Sequence, residues 1–374
     1  MHIGDLRTPA AVVDLARLGA NLAGMRERAA RLGVRLRPHV KTHKCVEIAR
    51  EQHGGRAGPI TVSTLAEARA FASAGFRDVT YAVPLAPGRC AEVASLGRAG
   101  LDLGVLVDHP DAVDALDATA RAEGVRVRVW LKVDCGGNRC GVDPEGPVGP
   151  GVAARVARSG FLELAGILTH AGHAYHCRDR SEIAAVARQE RDVMLAVADR
   201  LRRAGVVVPE VSVGSTPTMS VVDDLTGVTE IRPGNYAFFD AFQAAIGSCR
   251  AADCAFTVVA TVVGSYPEAG RLVLDAGALA LSKDPGPTHV DPDCGFGRVC
   301  GLDGEALEGL RLASLSQEHG IVLATPAGVA AGLPIGTRLR IVPNHSCLAA
   351  ACFDRYHVAD GERVVDEWRP VRGW

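Results

Sequence analysis

The stretch of this chain richest in groups that can do chemistry is Arg37-Pro38-His39-Val40-Lys41-Thr42-His43-Lys44. It follows the short segment Gly33-Val34-Arg35-Leu36 and precedes a helical one, which puts Lys41 where a strand ends and a helix begins. Desolvation and neighbouring positive charge both lower an ammonium pKa, and His39, His43 and Lys44 stand beside this lysine in sequence. The free amine that results is what Schiff-base formation requires. A solvated basic turn has the same composition, so the meaning of Lys41 depends on what the rest of the chain supplies.

Two further stretches bear on it. Gly214-Ser215-Thr216-Pro217-Thr218 offers small residues, backbone N–H groups and hydroxyls just before a helix start, a cradle for phosphate. Gly234-Asn235-Tyr236 offers a second set of donors. A reactive lysine with a phosphate cradle points to pyridoxal 5'-phosphate, whose aldehyde needs the amine and whose phosphate needs the anchor. Far downstream lies Pro343-Asn344-His345-Ser346-Cys347. Residues two apart in extended chain share a face, so His345 and Cys347 can share one ion, and an imidazole with a thiolate suits a divalent metal such as zinc. Gln317-Glu318-His319 is a candidate neighbour of that pair.

The elements that must position these groups alternate in type up to about residue 245. Setting aside the segment Ala11–Asp14, strand-like runs fall around Leu36, Ile60–Ser63, Val79–Val83, Leu103–Val107, Val125–Val133, Leu164–Leu168, Val211–Val213 and Thr229–Ile231. Helical segments separate them. Eight such units imply an α/β chain folded as a closed (β/α)8 TIM barrel. No Gly-x-Gly-x-x-Gly follows the first strand, which argues against a doubly wound open sheet. Polar groups stand at the C-terminal end of nearly every strand: Lys41, Ser63, Asp108, Asp134 with Gly136-Gly137-Asn138-Arg139, His170 with His173 and Tyr175, Gly214-Ser215-Thr216, and Arg232 with Gly234-Asn235-Tyr236. Barrels collect their chemistry there, with phosphate after strands seven and eight. Beyond residue 245, Ala255–Val263, Leu272–Ala276, Gly320–Ala324 and Thr337–Val342 read as strands among Gly/Pro-rich turns. The expected domains are therefore residues 1–245, a barrel, and 246–374, a mostly-β domain carrying His345 and Cys347.

With 48% hydrophobic and 22% charged residues and a formal charge of −2, the composition is that of a soluble globular protein. Its mixed charges leave no footprint for nucleic acid or a membrane surface. The longest apolar run, Cys254–Gly264, is too short to span a bilayer, and Met1-His2-Ile3-Gly4-Asp5 does not start a signal peptide, so a cytoplasmic protein is expected. Eleven cysteines, an odd number without a Cys-x-x-Cys pair, argue against a disulfide framework.

Taken together, the motifs resemble the D-threonine aldolase and eukaryotic-type D-serine dehydratase family, fold-type III pyridoxal-phosphate enzymes related to alanine racemase. The resemblance runs from Arg7-Thr8-Pro9-Ala10 through the Lys41 stretch, Gly137-Asn138-Arg139-Cys140-Gly141, His170-Ala171-Gly172-His173-Ala174-Tyr175, Gly214-Ser215-Thr216-Pro217-Thr218, Arg232-Pro233-Gly234-Asn235-Tyr236 and Gln317-Glu318-His319-Gly320 to Pro343–Cys347. It implies Lys41 as the Schiff-base lysine, with Arg139 near the cofactor ring and His173 as a further catalytic residue. It implies His170, Tyr175, Gly214, Ser215, Thr216, Gly234, Asn235 and Tyr236 around the cofactor. His345 and Cys347 would be the ligands of a divalent metal, zinc or manganese, and the protein a homodimer. The implied reaction is that of a lyase on small D-β-hydroxy amino acids, breaking Cα–Cβ or expelling the β-hydroxyl. The chain departs from the pattern at Leu168-Thr169, where members often carry tyrosine, and that puts one cofactor or substrate contact in question. An amino-acid racemase, which needs no metal, and a non-catalytic pyridoxal-phosphate carrier are the alternatives.

Overall fold

Ala10-Ala11-Val12-Val13 is apolar at every position, and it forms a buried strand, β1 (Ala10–Asp14), that takes no part in the barrel. The structure, a computed structural model, describes residues 1–324 and 333–374. The next eight strands are β2 (Arg35–Leu36), β3 (Ile60–Val62), β4 (Asp78–Pro84), β5 (Asp102–Val107), β6 (Val127–Lys132), β7 (Leu162–Leu168), β8 (Glu210–Val213) and β9 (Glu230–Ile231). They pair in parallel in the order β2-β9-β8-β7-β6-β5-β4-β3. Backbone bonds from His39 N to Pro233 O (3.0 Å) and from Thr61 N to Pro38 O (2.9 Å) close the ring beyond the short β2. The expected TIM-like barrel is therefore present.

Strand burial on both faces explains the near-continuous apolar runs, since helices cover the outside and side chains fill the middle. Leu106, Trp130, Ala165 and Leu168 form part of that filling. Gly104 makes room for it: a Cβ there would lie 2.8 Å from the Trp130 indole nitrogen. Arg37, singled out with the lysine stretch, is structural. Fully buried, it bonds Glu230 at 2.9 Å through Nε and Asp78 at 2.6 Å through Nη1, so its charge is matched where water is absent.

The chain divides into two compact units, Gly24–Gly234 with Val371–Trp374, and Met1–Ala23 with Asn235–Pro370. The division differs from 1–245 and 246–374 for a physical reason. β1 is a strand of the second unit, pairing antiparallel with β10 (Phe256–Tyr266) and in parallel with β16 (Tyr356–Asp360). The other strands there are β11 (Arg271–Leu274), β12 (Gly297–Cys300), β13 (Leu310–Leu315), β14 (Gly320–Ala324), β15 (Arg338–Pro343) and β17 (Arg363–Trp368). No helix among the described residues is long and apolar enough to cross a membrane.

Candidate active site

In the barrel unit, the chain leaves β2 through Pro38 and His39 into a single 3-10 turn, Val40–Thr42. His39 caps that turn, its Nδ1 accepting from Lys41 N at 3.4 Å, and Lys41 is half-buried at the strand's C-terminal edge. Burial drives the imidazole pKa of His39 well below its ordinary value, and the charges of Lys41 and Arg232 add to the effect. His170, after β7, behaves alike: burial first, then Lys41, Arg139, Arg232 and Lys132. Each imidazole keeps some accessible surface, as a side chain lining a deep recess does. The barrel end thus gathers four cations around two imidazoles held neutral.

Two of those cations had no role read from the sequence: Lys132 was not singled out, and Arg232 was noted only for its place at a strand end. Arg232 is buried and donates through Nε to Ser212 Oγ at 2.7 Å and through Nη2 to Thr169 O. Burial lowers its pKa to about 10 against the pull of Glu230 and Glu190, so it stays charged at neutral pH. Lys132 is 4% exposed and donates to Val133 O at 2.8 Å. Arg139 rides on a loop whose shape is fixed from within. Asp134 Oδ1 accepts from Gly136, Gly137 and Asn138 N at 2.9, 2.8 and 3.1 Å, while Asp108 Oδ2 accepts from Gly141 N at 3.0 Å. Gly141 has φ +118°, and a Cβ there would lie 2.6 Å from Asp134 N.

His173 and Tyr175 lie in the 3-10 turn Gly172–His176. Both ring nitrogens of His173 are buried without a hydrogen-bond partner among the described residues. Gly214 has φ +111°, and its Cβ would lie 3.2 Å from Arg232 N. Its N–H is taken by Glu190 Oε1 at 2.9 Å, and the Ser215 N–H by Thr218 Oγ1 at 3.0 Å. Ser215 and Thr216 are buried at the start of the helix Thr216–Val221. Gly234 lets the chain pass close to the lysine stretch, since a Cβ there would come 2.7 Å from His39 O.

Glu190 organises this edge and was not singled out from sequence. Fully buried on the helix Arg180–Arg203, it accepts from Ala171 N at 3.1 Å, Gly214 N at 2.9 Å and Thr218 Oγ1 at 3.1 Å. It thereby ties the loop after β7 to the loop after β8. A signal for it exists: it falls on the apolar stripe Ile183, Ala187, Glu190, Met194, Val197, Leu201. The departure Leu168-Thr169 is accommodated inside the barrel, Leu168 in the core and Thr169 Oγ1 donating to Val133 O at 2.7 Å.

In the second unit, His345 and Cys347 are half-buried at the start of the helix Ser346–Ala351. His345 Nδ1 bonds Asp284 Oδ2 at 3.0 Å. Burial opposes protonation of this imidazole, but Cys347, the bond from Asp284 and the charge of Asp240 outweigh it and carry the pKa to about 11. Asn235 and Tyr236, expected with the phosphate, make up part of this unit and are buried. Asn235 Nδ2 donates to Asp240 Oδ2 at 2.7 Å, Ser346 Oγ at 3.0 Å and Cys347 Sγ at 3.6 Å. Gln317, Glu318 and His319 are exposed in the turn between β13 and β14. Among the described residues, no three His, Cys, Asp or Glu side chains are arranged around one point.

Residues 13–241 match the family described as alanine racemase, N-terminal domain, and residues 255–359 the one described as putative serine dehydratase domain. A D-threo-3-hydroxyaspartate dehydratase from Delftia sp. is 42% identical over 99% of this chain and 98% of its own length. The chain belongs to the family of D-serine dehydratases and D-threonine aldolases. The solved structure of the Delftia enzyme, at 41% identity, covers 100% of both chains with a TM-score of 0.94. A cysteine-to-alanine mutant of it is described as being in the metal-free form. Other members of the dehydratase and aldolase family are a D-serine dehydratase from Dictyostelium discoideum, 34% identical over 100% of this chain and 98% of its own, and a D-threonine aldolase from Arthrobacter sp., 32% identical over 96% and 91%.

Such enzymes are fold-type III pyridoxal-phosphate lyases, and the barrel residues fit that cofactor. A lysine amine stands at the strand edge among fixed cations, Gly214 holds φ +111°, and Gly234 sits where a Cβ has no room. The second unit fits a divalent cation: an imidazole and a sulfur lie together, with a buried Asn235 Oδ1 that has no partner among the described residues.

Proposed function

We propose that this protein is a pyridoxal 5'-phosphate- and divalent-metal-dependent lyase of the dehydratase type. It expels the hydroxyl of D-β-hydroxy amino acids and yields, after hydrolysis, a 2-oxo acid and ammonia. The observation that carries this reading is the braced His345–Cys347 pair, because racemisation or mere cofactor carriage needs only the lysine end. Bound pyridoxal phosphate supplies an electron sink for charge left on Cα, and a bound divalent cation, zinc or manganese, supplies a Lewis acid for a hydroxyl oxygen.

The chain's own groups do the rest. Lys41 Nζ would hold the cofactor through its aldehyde, and its amine would be the group to take the Cα proton. Arg139, Arg232 and Lys132 hold the phosphate and substrate carboxylates by charge. His39 and His170, kept neutral by burial and by those cations, accept hydrogen bonds without adding charge. His173 offers two open ring nitrogens for proton transfer, and Tyr175, Ser215 and Thr216 shape the recess. His345 and Cys347 hold the cation. The surplus of positive charge favours a substrate with an acidic side chain, such as the 3-hydroxyaspartate named for the Delftia relative. Eleven cysteines, an odd number without a Cys-x-x-Cys pair, suit a reducing cytoplasm. We take the enzyme to act there as a homodimer.

The test is product identity. Cofactor-loaded protein is incubated separately with D-threo-3-hydroxyaspartate, D-serine and D-threonine. Equimolar 2-oxo acid and ammonia support the dehydratase. Glycine with an aldehyde makes the protein an aldolase, and inversion at Cα alone makes it a racemase.

A further inference from the structure

Resting on the metal-dependent reading above, we propose that Asp284 and Asn235 are positioning residues of the cation centre, one for each protein ligand. An imidazole binds a metal through one nitrogen, and the bond made by the other decides which nitrogen is available and which way the ring faces. Here Asp284 Oδ2 lies 3.0 Å from His345 Nδ1, so Nδ1 carries the proton and Nε2 is left as the donor.

The carboxylate that does this is held. Asp284 Oδ1 accepts from Gly286 N at 2.9 Å, which turns Oδ2 toward the imidazole. The carbonyl of Asp284 accepts from Asn344 Nδ2 at 3.1 Å, and the same amide reaches Gly295 O at 2.8 Å. Asn344 immediately precedes His345, so one side chain fixes the loop that carries the carboxylate to the segment that carries the ligand. Gly286 is required in that arrangement: its φ is +73°, and a Cβ would lie 2.5 Å from Asn344 Nδ2.

Cys347 has its own partner. Asn235 Nδ2 faces the Asp240 carboxylate at 2.7 Å, which demands a donor and so fixes the amide's orientation. The same NH2 group lies 3.6 Å from Cys347 Sγ, within reach of a hydrogen bond to sulfur. An N–H aimed at a ligand sulfur fixes the direction in which that sulfur faces the metal. Asp240 completes the brace, accepting from Ser346 N at 3.0 Å, the residue between the two ligands. The Asn235 side chain therefore serves the cation, although the residue follows Gly234 directly in sequence.

The experiment uses full-length protein loaded with pyridoxal phosphate, stripped with EDTA and titrated calorimetrically with zinc(II). Losing an outer partner of a metal ligand lowers affinity about 10–100-fold. D284A and N235A are each expected to fall in that range while the yellow absorbance of the bound cofactor is unchanged. D284N keeps an acceptor opposite Nδ1, and its affinity falls between wild type and D284A. In the cobalt(II)-loaded protein, N235A shifts the sulfur-to-metal absorption band, a signature that a merely structural role leaves in place. Asp284 is partly exposed, so D284A decides the matter where N235A, at a buried position, does not fold. Wild-type affinity within twofold in the folded variants overturns the assignment, as does N235A losing the cofactor but keeping the cation. If the wild type binds none of zinc(II), manganese(II) or cobalt(II), the metal-dependent reading itself falls, and the assignment with it.

Discussion

Replacing Glu190 should separate the protein's dependence on a buried acceptor from its dependence on a buried charge. Oε1 alone accepts both backbone bonds, Ala171 N at 3.1 Å and Gly214 N at 2.9 Å, while Oε2 serves Thr218 Oγ1 at 3.1 Å. In E190A the Thr218 hydroxyl can turn to Ser215 O at 3.2 Å, but the two N–H groups are stranded. Each buried orphan costs about 1–3 kcal/mol, so E190A should lose roughly 2–6 kcal/mol. E190Q keeps one amide oxygen for both N–H groups and should lose only about 1 kcal/mol. Burial raises the Glu190 pKa, so the native state holds its proton to higher pH than the unfolded chain does. The stability owed to this group therefore falls as pH rises from the ordinary carboxylate range toward the raised pKa, and E190Q removes that slope. Urea unfolding across pH measures both effects. An E190A within 1 kcal/mol of wild type, or an E190Q as damaged as E190A, would refute the bridging role.

Three more outcomes are expected. G141A places a Cβ 2.6 Å from Asp134 N at φ +118°, and should cost about 1–3 kcal/mol in thermal unfolding and lower kcat through displacement of the Arg139 loop. His43, buried and with its pKa lowered to about 3 mainly by burial, stays neutral in the native state while the unfolded chain protonates near 6.5. Stability should therefore decline as pH falls from about 6.5 toward 3, and H43Q should flatten that decline in denaturant titrations if it folds. K41A should lose the cofactor's yellow absorbance and all turnover yet bind zinc(II) as wild type does, read by absorbance and metal content on one sample.

The barrel was legible because most of its strands are apolar runs separated by helical segments, and because Ala11–Asp14 could be set apart from the eight. Its pairing with β10 and β16 lies beyond any local pattern, since it joins segments more than 200 residues apart. Strands β12, β13, β16 and β17 were not read from the sequence; β17, Arg363–Trp368, is an edge strand with mostly exposed residues, and no alternation of apolar and polar marks it. Of the residues proposed for the chemistry, Lys41, His345 and Cys347 stood out by residue type. Glu190 did not, because Arg188-Gln189-Glu190-Arg191-Asp192 reads as a solvated helix face until the stripe is followed through it. Asn235 was grouped with Gly234 because they are adjacent in sequence, yet the chain passes from one compact unit to the other between them. Asp240 and Asp284 are single acidic residues in loops, and only folding shows what they hold.

The central claim is that one chain joins a Schiff-base lysine to a cation held by an imidazole and a sulfur in order to expel a β-hydroxyl. Its most direct test is turnover of D-threo-3-hydroxyaspartate by protein saturated with pyridoxal phosphate, before EDTA treatment, after it, and after zinc(II) or manganese(II) is restored. The account predicts ammonia and 2-oxo acid release that EDTA abolishes and the metal returns, with the cofactor absorbance present throughout. Undiminished release from metal-free protein would contradict it.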